Sequence, residues 1–340
     1  MTVYFLEWNA NYEKIMMHNL SELGVKEKNN VMKHFAKKNL KLKKLGISNR
    51  FFVQLHYFIK LRHITSDDLI VCNGFSALGF LDLVKTIKCK KILIIRDTIT
   101  HLENAMRDKK KWLLPQEHYV DKVKPFFDKI YSFDPTDCKK HDLNYLEQFL
   151  PFTLLDIKRK QSLAKNKKSK ICFFIGEYRE ERESYLRKIY AHLKSTDLKA
   201  NFYLYDKYKK SDNYPPFCKN TLLSYNENIE KVIESDVLIE INHLGQDGPT
   251  LRTIEALAFN KKIITNNTKI LNYEFYSPDR FFILGHDSFD NMLVFLKRDT
   301  SPIADEIIEK YTADSMLRTI CFDMKYELPL HTSEIDKLAE

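Results

Sequence analysis

Gly248, Thr250, Leu251, Arg252 and Glu255 stand together in the run Gly248-Pro249-Thr250-Leu251-Arg252-Thr253-Ile254-Glu255-Ala256-Leu257-Ala258. These residue types, in this order, can bind an anion. Proline is tolerated in the first turn of a helix, where its missing amide would have no intrahelical partner. Gly-Pro therefore predicts a turn and then a helix start. The free amides of Thr250 and Leu251, at the positive end of the helix dipole, suit a phosphate or diphosphate. Arg252 offers a planar fork of donors to phosphate or carboxylate. Glu255 falls three residues later, on the same helix face. The two side chains either pair with each other or share a ligand.

Other chemistry-bearing residues follow strand-like apolar runs. Gly176 ends Ile171-Cys172-Phe173-Phe174-Ile175, and Arg179 and Arg182 come soon after. Tyr225 ends Thr221-Leu222-Leu223-Ser224, read as a strand. Glu7 follows Val3 to Leu6. Asp97 follows Lys91 to Arg96, with His101 one turn on. A carboxylate at Asp97 can take the proton of an attacking hydroxyl or stabilise developing positive charge; it can equally cap the next helix. Asp134, before Pro135, reads as a cap.

These residues need elements to position them, and the pattern supplies a series. Val3–Leu6, Leu69–Cys72, Lys91–Ile95 and Ile130–Phe133 read as strands. They alternate with helices such as Tyr12–Leu23 and Ala77–Ile87. Continuous apolar runs closed by turn residues are the mark of buried parallel strands, and the alternation predicts βαβ sheets. A second series begins at Ile171 and runs through a helix at Glu181–Leu193, Asn201–Tyr205, Asn228–Glu234, Val237–Ile241, Ile263–Thr265 and Phe281–Leu284. The expected division is residues 1–150 as a first Rossmann-like domain, 151–169 as a basic linker and 170–302 as a second domain. Residues 303–340 are expected as a last helix, crossing back, and a tail.

The chain has 340 residues, 44% hydrophobic and 30% charged, enough for two globular domains. Its net charge of +9 suits nucleic acid, an anionic membrane surface or phosphorylated substrates. Lysine runs at Lys37-Lys38, Lys41 and Lys43-Lys44 form one side of an amphipathic stretch, Val31 to Lys44. That stretch is expected either to lie on an anionic membrane or to pack on the core with a solvated side. Six cysteines show no paired spacing, so neither zinc site nor disulfide framework is indicated, and a reducing cytoplasm is expected. No basic region precedes the apolar N-terminus, which argues against a secretory signal. No P-loop, nucleophile elbow or His ligand spacing occurs.

The segment from Asp247 resembles the donor-binding helix of GT-B glycosyltransferases. That family shows an acid, seven residues, Glu-Ala-Leu-Ala and a short turn into Lys-Pro-Val-Ile. Here Asp247 is followed by seven residues, Glu255-Ala256-Leu257-Ala258 and Lys261-Lys262-Ile263-Ile264. The likeness continues through Asn266-Asn267 to Asn272-Tyr273-Glu274-Phe275-Tyr276, a form similar to enzymes of bacterial lipopolysaccharide and capsule synthesis. It covers residues 221–285; the first half matches in architecture alone. Asp247 stands where Glu is usual, and Asn260 where Gly is usual.

The resemblance implies an α/β fold of two Rossmann-like domains facing across a cleft, the donor in the second domain, the acceptor and any general base in the first. It implies that Glu255 accepts hydrogen bonds from the donor ribose and that Asp247 contacts the sugar. Gly176 and Arg179 would face the leaving phosphate, and the loop at Tyr225 the base. The expected activity is transfer of a sugar from a nucleotide-sugar donor to a glycan or lipid-linked glycan acceptor. The expected catalytic candidates are Asp97, His101 and Glu7. No metal and no cofactor are expected, since the Asp-x-Asp of metal-dependent GT-A enzymes is missing. A cytoplasmic protein, peripheral on the inner membrane face, fits the lysine runs. The rival readings are a noncatalytic sugar-nucleotide-binding relative and a polyanion-binding protein. Nucleic acid is disfavoured because stacking aromatics do not interleave the lysines.

Overall fold

The computed structural model describes residues 2–110, 112–163, 169–207, 214–243 and 245–327. It divides into two compact units, Met1–Glu147 with Met316–Glu340, and Gln148–Ser315.

The first unit runs β1 (Val3–Leu6), α1 (Asn11–Leu20), β2 (Val25–Lys28), α2 (Phe35–Lys44), α3 (Arg50–Leu61), β3 (Leu69–Asn73), α4 (Ala77–Val84) and β4 (Lys90–Ile95). It continues with α5 (Ile99–Ala105), α6 (Tyr119–Val123), β5 (Lys129–Ser132), α7 (Pro135–His141) and β6 (Asn144–Tyr145). Its six strands lie in the order β2-β1-β3-β4-β5-β6, all parallel. Every residue of β1 and β3 is buried, which is why these strands read as unbroken apolar runs.

The second unit runs α8 (Leu154–Leu163), β7 (Ile171–Glu177), α9 (Glu180–Leu193), β8 (Lys199–Tyr205), β9 (Cys218–Lys219), α10 (Tyr225–Glu234) and β10 (Val237–Glu240). Then come α11 (Leu251–Ala258), β11 (Lys262–Thr265), β12 (Phe281–Ile283), α12 (Met292–Lys297) and α13 (Asp305–Glu309). The strand order is β12-β11-β10-β7-β8-β9, again all parallel. α14 (Ala313–Met324) starts in this unit, where the Ala313 amide donates to Phe152 O. It ends on the first unit, where Tyr131 donates its hydroxyl to Asp323 at 2.7 Å.

Each sheet has one place where the strand order reverses direction, between β1 and β3 and between β7 and β10. In open α/β sheets, ligands bind at the carboxyl ends of strands beside such a switch point.

Several sequence expectations change. Thr221–Ser224 is not a strand: Ser224 caps α10 in a capping box with Glu227, and the strand is the short β9 before it. Tyr225 therefore opens a helix instead of closing a strand. Part of the expected linker, Leu154–Leu163, is helical, and residues 164–168 lie outside the described residues. The segment 303–322 forms two helices, not one. β2, β6 and β9 were not anticipated. β2 and β9 are sheet edges, as is β6, and they are short and partly exposed. An edge strand need not be apolar on both faces, and charge there blocks unwanted pairing.

Candidate functional site

In the second unit the site is built around a buried carboxylate. Glu240 ends β10 with almost no exposure. It accepts hydrogen bonds from the hydroxyls of Thr253 at 2.8 Å, Thr265 at 2.6 Å and Thr250. The three threonines belong to the start of α11, its body and the end of β11, so one carboxylate locks the helix start to two strands. Thr250 also caps α11 by accepting from the Arg252 amide at 3.0 Å. From the far side Asn267 donates to the carbonyls of Asp247 at 3.2 Å and Gly248 at 3.4 Å. The turn before α11 is thus held from both sides, with the amides of Leu251 and its neighbours at the helix start.

Arg252 and Glu255 pair with each other at 2.5 Å. Arg252 also donates to Asn228 at 2.9 Å and lies over the Phe173 ring, and Asn228 donates to Glu255 at 3.2 Å. Glu255 is 1% exposed. Burial raises its pKa, while Arg252 and hydrogen bonds from Tyr225 and Asn228 pull it down. Asn260, the residue in place of the usual Gly, has φ +52°. Asparagine tolerates that left-handed backbone, and its Oδ1 accepts from Arg280 at 2.7 Å.

Two arginines converge from the loop after β7. Arg179 donates to Ile241 O at 3.0 Å and to His243 Nδ1 at 2.7 Å. Arg182 donates to Ile241 O at 2.9 Å and Glu177 O at 2.5 Å. Burial, then the charge of Arg179, brings the Arg182 pKa down to about 9, so it stays cationic at neutral pH. Gly176 makes room for it: a Cβ there would lie 2.7 Å from the Arg182 guanidinium. Among the described residues, Nε of Arg179, Nε of Arg182 and Nδ2 of Asn242 are buried donors without a hydrogen-bond partner. Each such donor costs about 1–3 kcal/mol, so a cluster of three calls for an acceptor.

Arg182, Asn242, His243, Thr250 and Arg252 line a cavity of about 210 Å³ at the carboxyl ends of β7 and β10, the switch point of this sheet. That volume is below the roughly 300–1,000 Å³ of ordinary small-molecule pockets; it suits a small charged part of a ligand. Larger cavities exist, of 420 Å³ beside Phe259 and Asn260 and of 610 Å³ beside Asp236 and Lys262. Both touch the residues that lead into β10 or β11, the amino ends of the strands, and so lie at the wrong edge of the sheet.

The first unit gathers a different set at its own switch point. Glu13, in α1, is buried; it accepts from Asn73 Nδ2 at 2.6 Å and from the Ala10 amide at 2.8 Å. The Tyr12 hydroxyl reaches it at 3.4 Å, and Arg96 lies 4.8 Å from the Tyr12 ring centre. Burial raises the Glu13 carboxyl and pushes Tyr12 up to about 12. Asp97, next along β4's carboxyl end, is also raised by burial, against His101 and Arg96. Asp97 does not cap α5. Thr98 does, accepting from the His101 amide at 3.3 Å. Asp134 is a cap, accepting from the Thr136 and Asp137 amides. Glu7 is buried at φ +59° and spends its carboxylate on the loop before α2, accepting from the Met32 amide at 2.7 Å and from Asn9 at 2.7 Å. The carboxylate thus holds that loop to the end of β1.

Solved structures share this architecture from end to end. HepE of Anabaena, solved with UDP and glucose, is 11% identical, with a TM-score of 0.55 over 96% of this chain and 99% of its own. UDP-GlcNAc 2-epimerase of Methanocaldococcus jannaschii is 10% identical, with 0.54 over 95% and 100%. An alpha-glucosyltransferase solved with UDP and a 13-mer DNA is 12% identical, with 0.53 over 95% and 98%.

The chain has the GT-B fold.

No protein-family model matches the chain, and no curated protein matches its sequence. Within this GT-B chain, Gly176, Arg179, Asp247, Gly248, Thr250, Leu251, Arg252, Glu255 and Tyr225 all fall in the second unit, and Glu7, Asp97 and His101 in the first. Arg252 and Thr250 line the cavity; Glu255 stands behind Arg252, and the Asp247 and Gly248 carbonyls are held by Asn267. Sequence reasoning missed Glu240, Asn228, Asn242, Tyr12, Glu13 and Arg96. A signal existed for Glu240 alone: a carboxylate ending an otherwise apolar buried strand needs donors, and threonines at 250, 253 and 265 were available. Among the described residues no group of three or more His, Cys, Asp or Glu is placed to hold a metal ion, all six cysteines are free and buried, and no helix is long and apolar enough to cross a membrane.

Proposed function

We propose that this protein is a glycosyltransferase that takes a nucleotide sugar as donor and a growing bacterial surface glycan, of lipopolysaccharide or capsule, as acceptor. The observation that carries the reading is the cationic cavity at the β7–β10 switch point, where Arg182, Arg252, the unpartnered Asn242 amide and the start of α11 converge. Those groups suit a diphosphate. Positive charge held there stabilises the negative charge that develops on the leaving nucleotide, and no metal is needed to supply it. Neighbours of the same fold solved with UDP support a nucleotide donor.

In the first unit Asp97 is the group to accept the acceptor's proton, or to face positive charge on the sugar. Burial raises its pKa, which makes the carboxylate a stronger base than an exposed aspartate. His101 is the second choice. The lipid-linked acceptor rests on the resemblance of residues 221–285 to surface-glycan enzymes.

Turnover on a panel of nucleotide sugars, with product analysis, tests this. Transfer, or slow hydrolysis of one donor, supports a transferase. Conversion of the donor into an epimer with no acceptor present replaces it with an epimerase, and tight binding without turnover replaces it with a sugar-nucleotide-binding protein.

A further inference from the structure

The chain's excess charge has one address. Residues 28–66 hold ten lysines and arginines and no aspartate or glutamate; the rest of the chain holds 45 basic and 46 acidic residues. This segment builds α2 and α3. The apolar side of α2 faces inward: Phe35 is buried and stacks on Phe52 at 5.3 Å, while Asn39 donates to Asp82 at 2.6 Å. α2 is therefore the core-packed helix with a solvated side, and its own apolar face is unavailable to lipid.

α3 is the reverse. Val53 and Leu61 are buried, Phe52 and His56 pack on Phe35, and His56 contacts Val31 O at 2.7 Å. The other face carries Phe51, Leu55, Phe58 and Ile59, spaced to lie on one side of the helix, with Phe51 79% and Ile59 62% exposed. Leu45 and Ile47, just before α3, are exposed as well. Half of the exposed large apolar side chains among the described residues fall between positions 45 and 59. Scattered exposed apolar residues need no explanation, but a contiguous patch does. Exposed Lys41, Lys44, Arg50, Lys60 and Arg62 surround it, and Arg62 lies 4.8 Å from the Phe58 ring centre.

We infer that the exposed face of α3, with Leu45 and Ile47, docks on an anionic phospholipid bilayer, the apolar side chains entering the headgroup boundary and the basic rim meeting lipid phosphates. Charge complementarity selects this occupant. A second copy would bring the same uncompensated positive charge against the patch. Nucleic acid would satisfy the charge but not Leu45, Ile47, Leu55 and Ile59, which cannot stack on bases. An apolar helix face rimmed by lysine and arginine suits the membrane interface.

Co-sedimentation of the full chain with vesicles of phosphatidylcholine and phosphatidylglycerol, against pure phosphatidylcholine, tests the inference. The wild type is expected to bind the anionic vesicles at least about tenfold better. The variant F51Q/L55Q/F58Q/I59Q, which keeps the charge, is expected to lose about tenfold or more. K41Q/K44Q/R50Q/K60Q is expected to lose binding as well, together with its salt sensitivity. The substituted side chains are exposed, so an unchanged thermal transition verifies folding. Equal binding by the four-glutamine apolar variant, no preference for anionic lipid, salt-sensitive oligonucleotide binding in place of lipid binding, or self-association through this face would each overturn the inference. It stands apart from the transferase reading: a chain that binds lipid but transfers no sugar contradicts that reading alone.

Discussion

At the β7–β10 switch point the ionisable groups on the cavity are Arg182 and Arg252, fixed by carbonyls, an aromatic ring and Glu255, together with His243 and the threonine-clamped Glu240. At the β1–β3 switch point they are Glu13, Asp97 and Tyr12, each with a raised pKa, with Arg96 alongside. Both sites sit on the same kind of parallel sheet. The fold decides where each site lies, and the loop residues decide its chemistry. A fixed cationic site binds an anion and tunes its charge. A buried acidic site trades protons. On the proposed function, leaving-group binding falls to the second unit and proton handling to the first.

The largest expected effect separates these roles. Asp97→Asn is expected to slow transfer by about 10²–10⁴-fold while leaving nucleotide affinity within about twofold, measured by turnover at saturating substrates and by calorimetry. Thr98 already caps α5, so helix capping cannot explain a rate loss. Near-normal turnover would shift the assignment to His101.

The converse pattern is expected for Arg182→Ala. Losing charge-assisted contacts worth about 1.5–3 kcal/mol should weaken nucleotide binding by about ten- to a hundredfold. Arg182 is a better probe than Arg252, whose loss would leave Glu255 as a buried, unpaired charge and destabilise the fold. Unchanged affinity in Arg182→Ala would empty the cationic site of its role.

Glu240→Gln is expected to cost about 1–3 kcal/mol in denaturant unfolding, because an amide cannot accept from three hydroxyls as a carboxylate does. Nucleotide affinity should fall with it as the α11 start loosens. Full stability would mean that the threonine clamp is not needed.

The smallest effect is pH dependence in the first unit. Glu13 has a raised folded pKa, so the folded state holds its proton where the unfolded chain has lost it. Its favourable contribution is complete below the ordinary glutamate value and is lost as pH rises through the folded value. Glu13→Gln should therefore flatten stability against pH in that window, followed by chemical unfolding across a pH series. A slope equal to wild type would show that Glu13 is not the titrating group.

Much of this was legible in the sequence because buried parallel strands must be apolar. β1, β3, β4, β7, β10, β11 and β12 announced themselves, and so did the strand-turn-helix around Gly248. The edge strands β2, β6 and β9 gave no such signal. Thr221–Ser224 has strand-like composition, yet Ser224 and Glu227 spell a capping box, and that local hydrogen bonding won. The buried network of Glu240 and three threonines joins residues 25 positions apart, and the Glu13–Asn73 bond joins residues 60 apart. No local pattern encodes such pairs. The apolar face proposed to meet lipid is likewise not where the lysine runs lie: packing buries the apolar face of α2 and leaves that of α3 exposed.

A crystal structure with UDP soaked in tests the central claim most directly. The account predicts diphosphate density within hydrogen-bond distance of Arg182, Asn242 Nδ2 and the amides that open α11, in the cavity at the carboxyl ends of β7 and β10. Diphosphate in the larger cavity beside Asp236 and Lys262, at the amino ends of the strands, would contradict it.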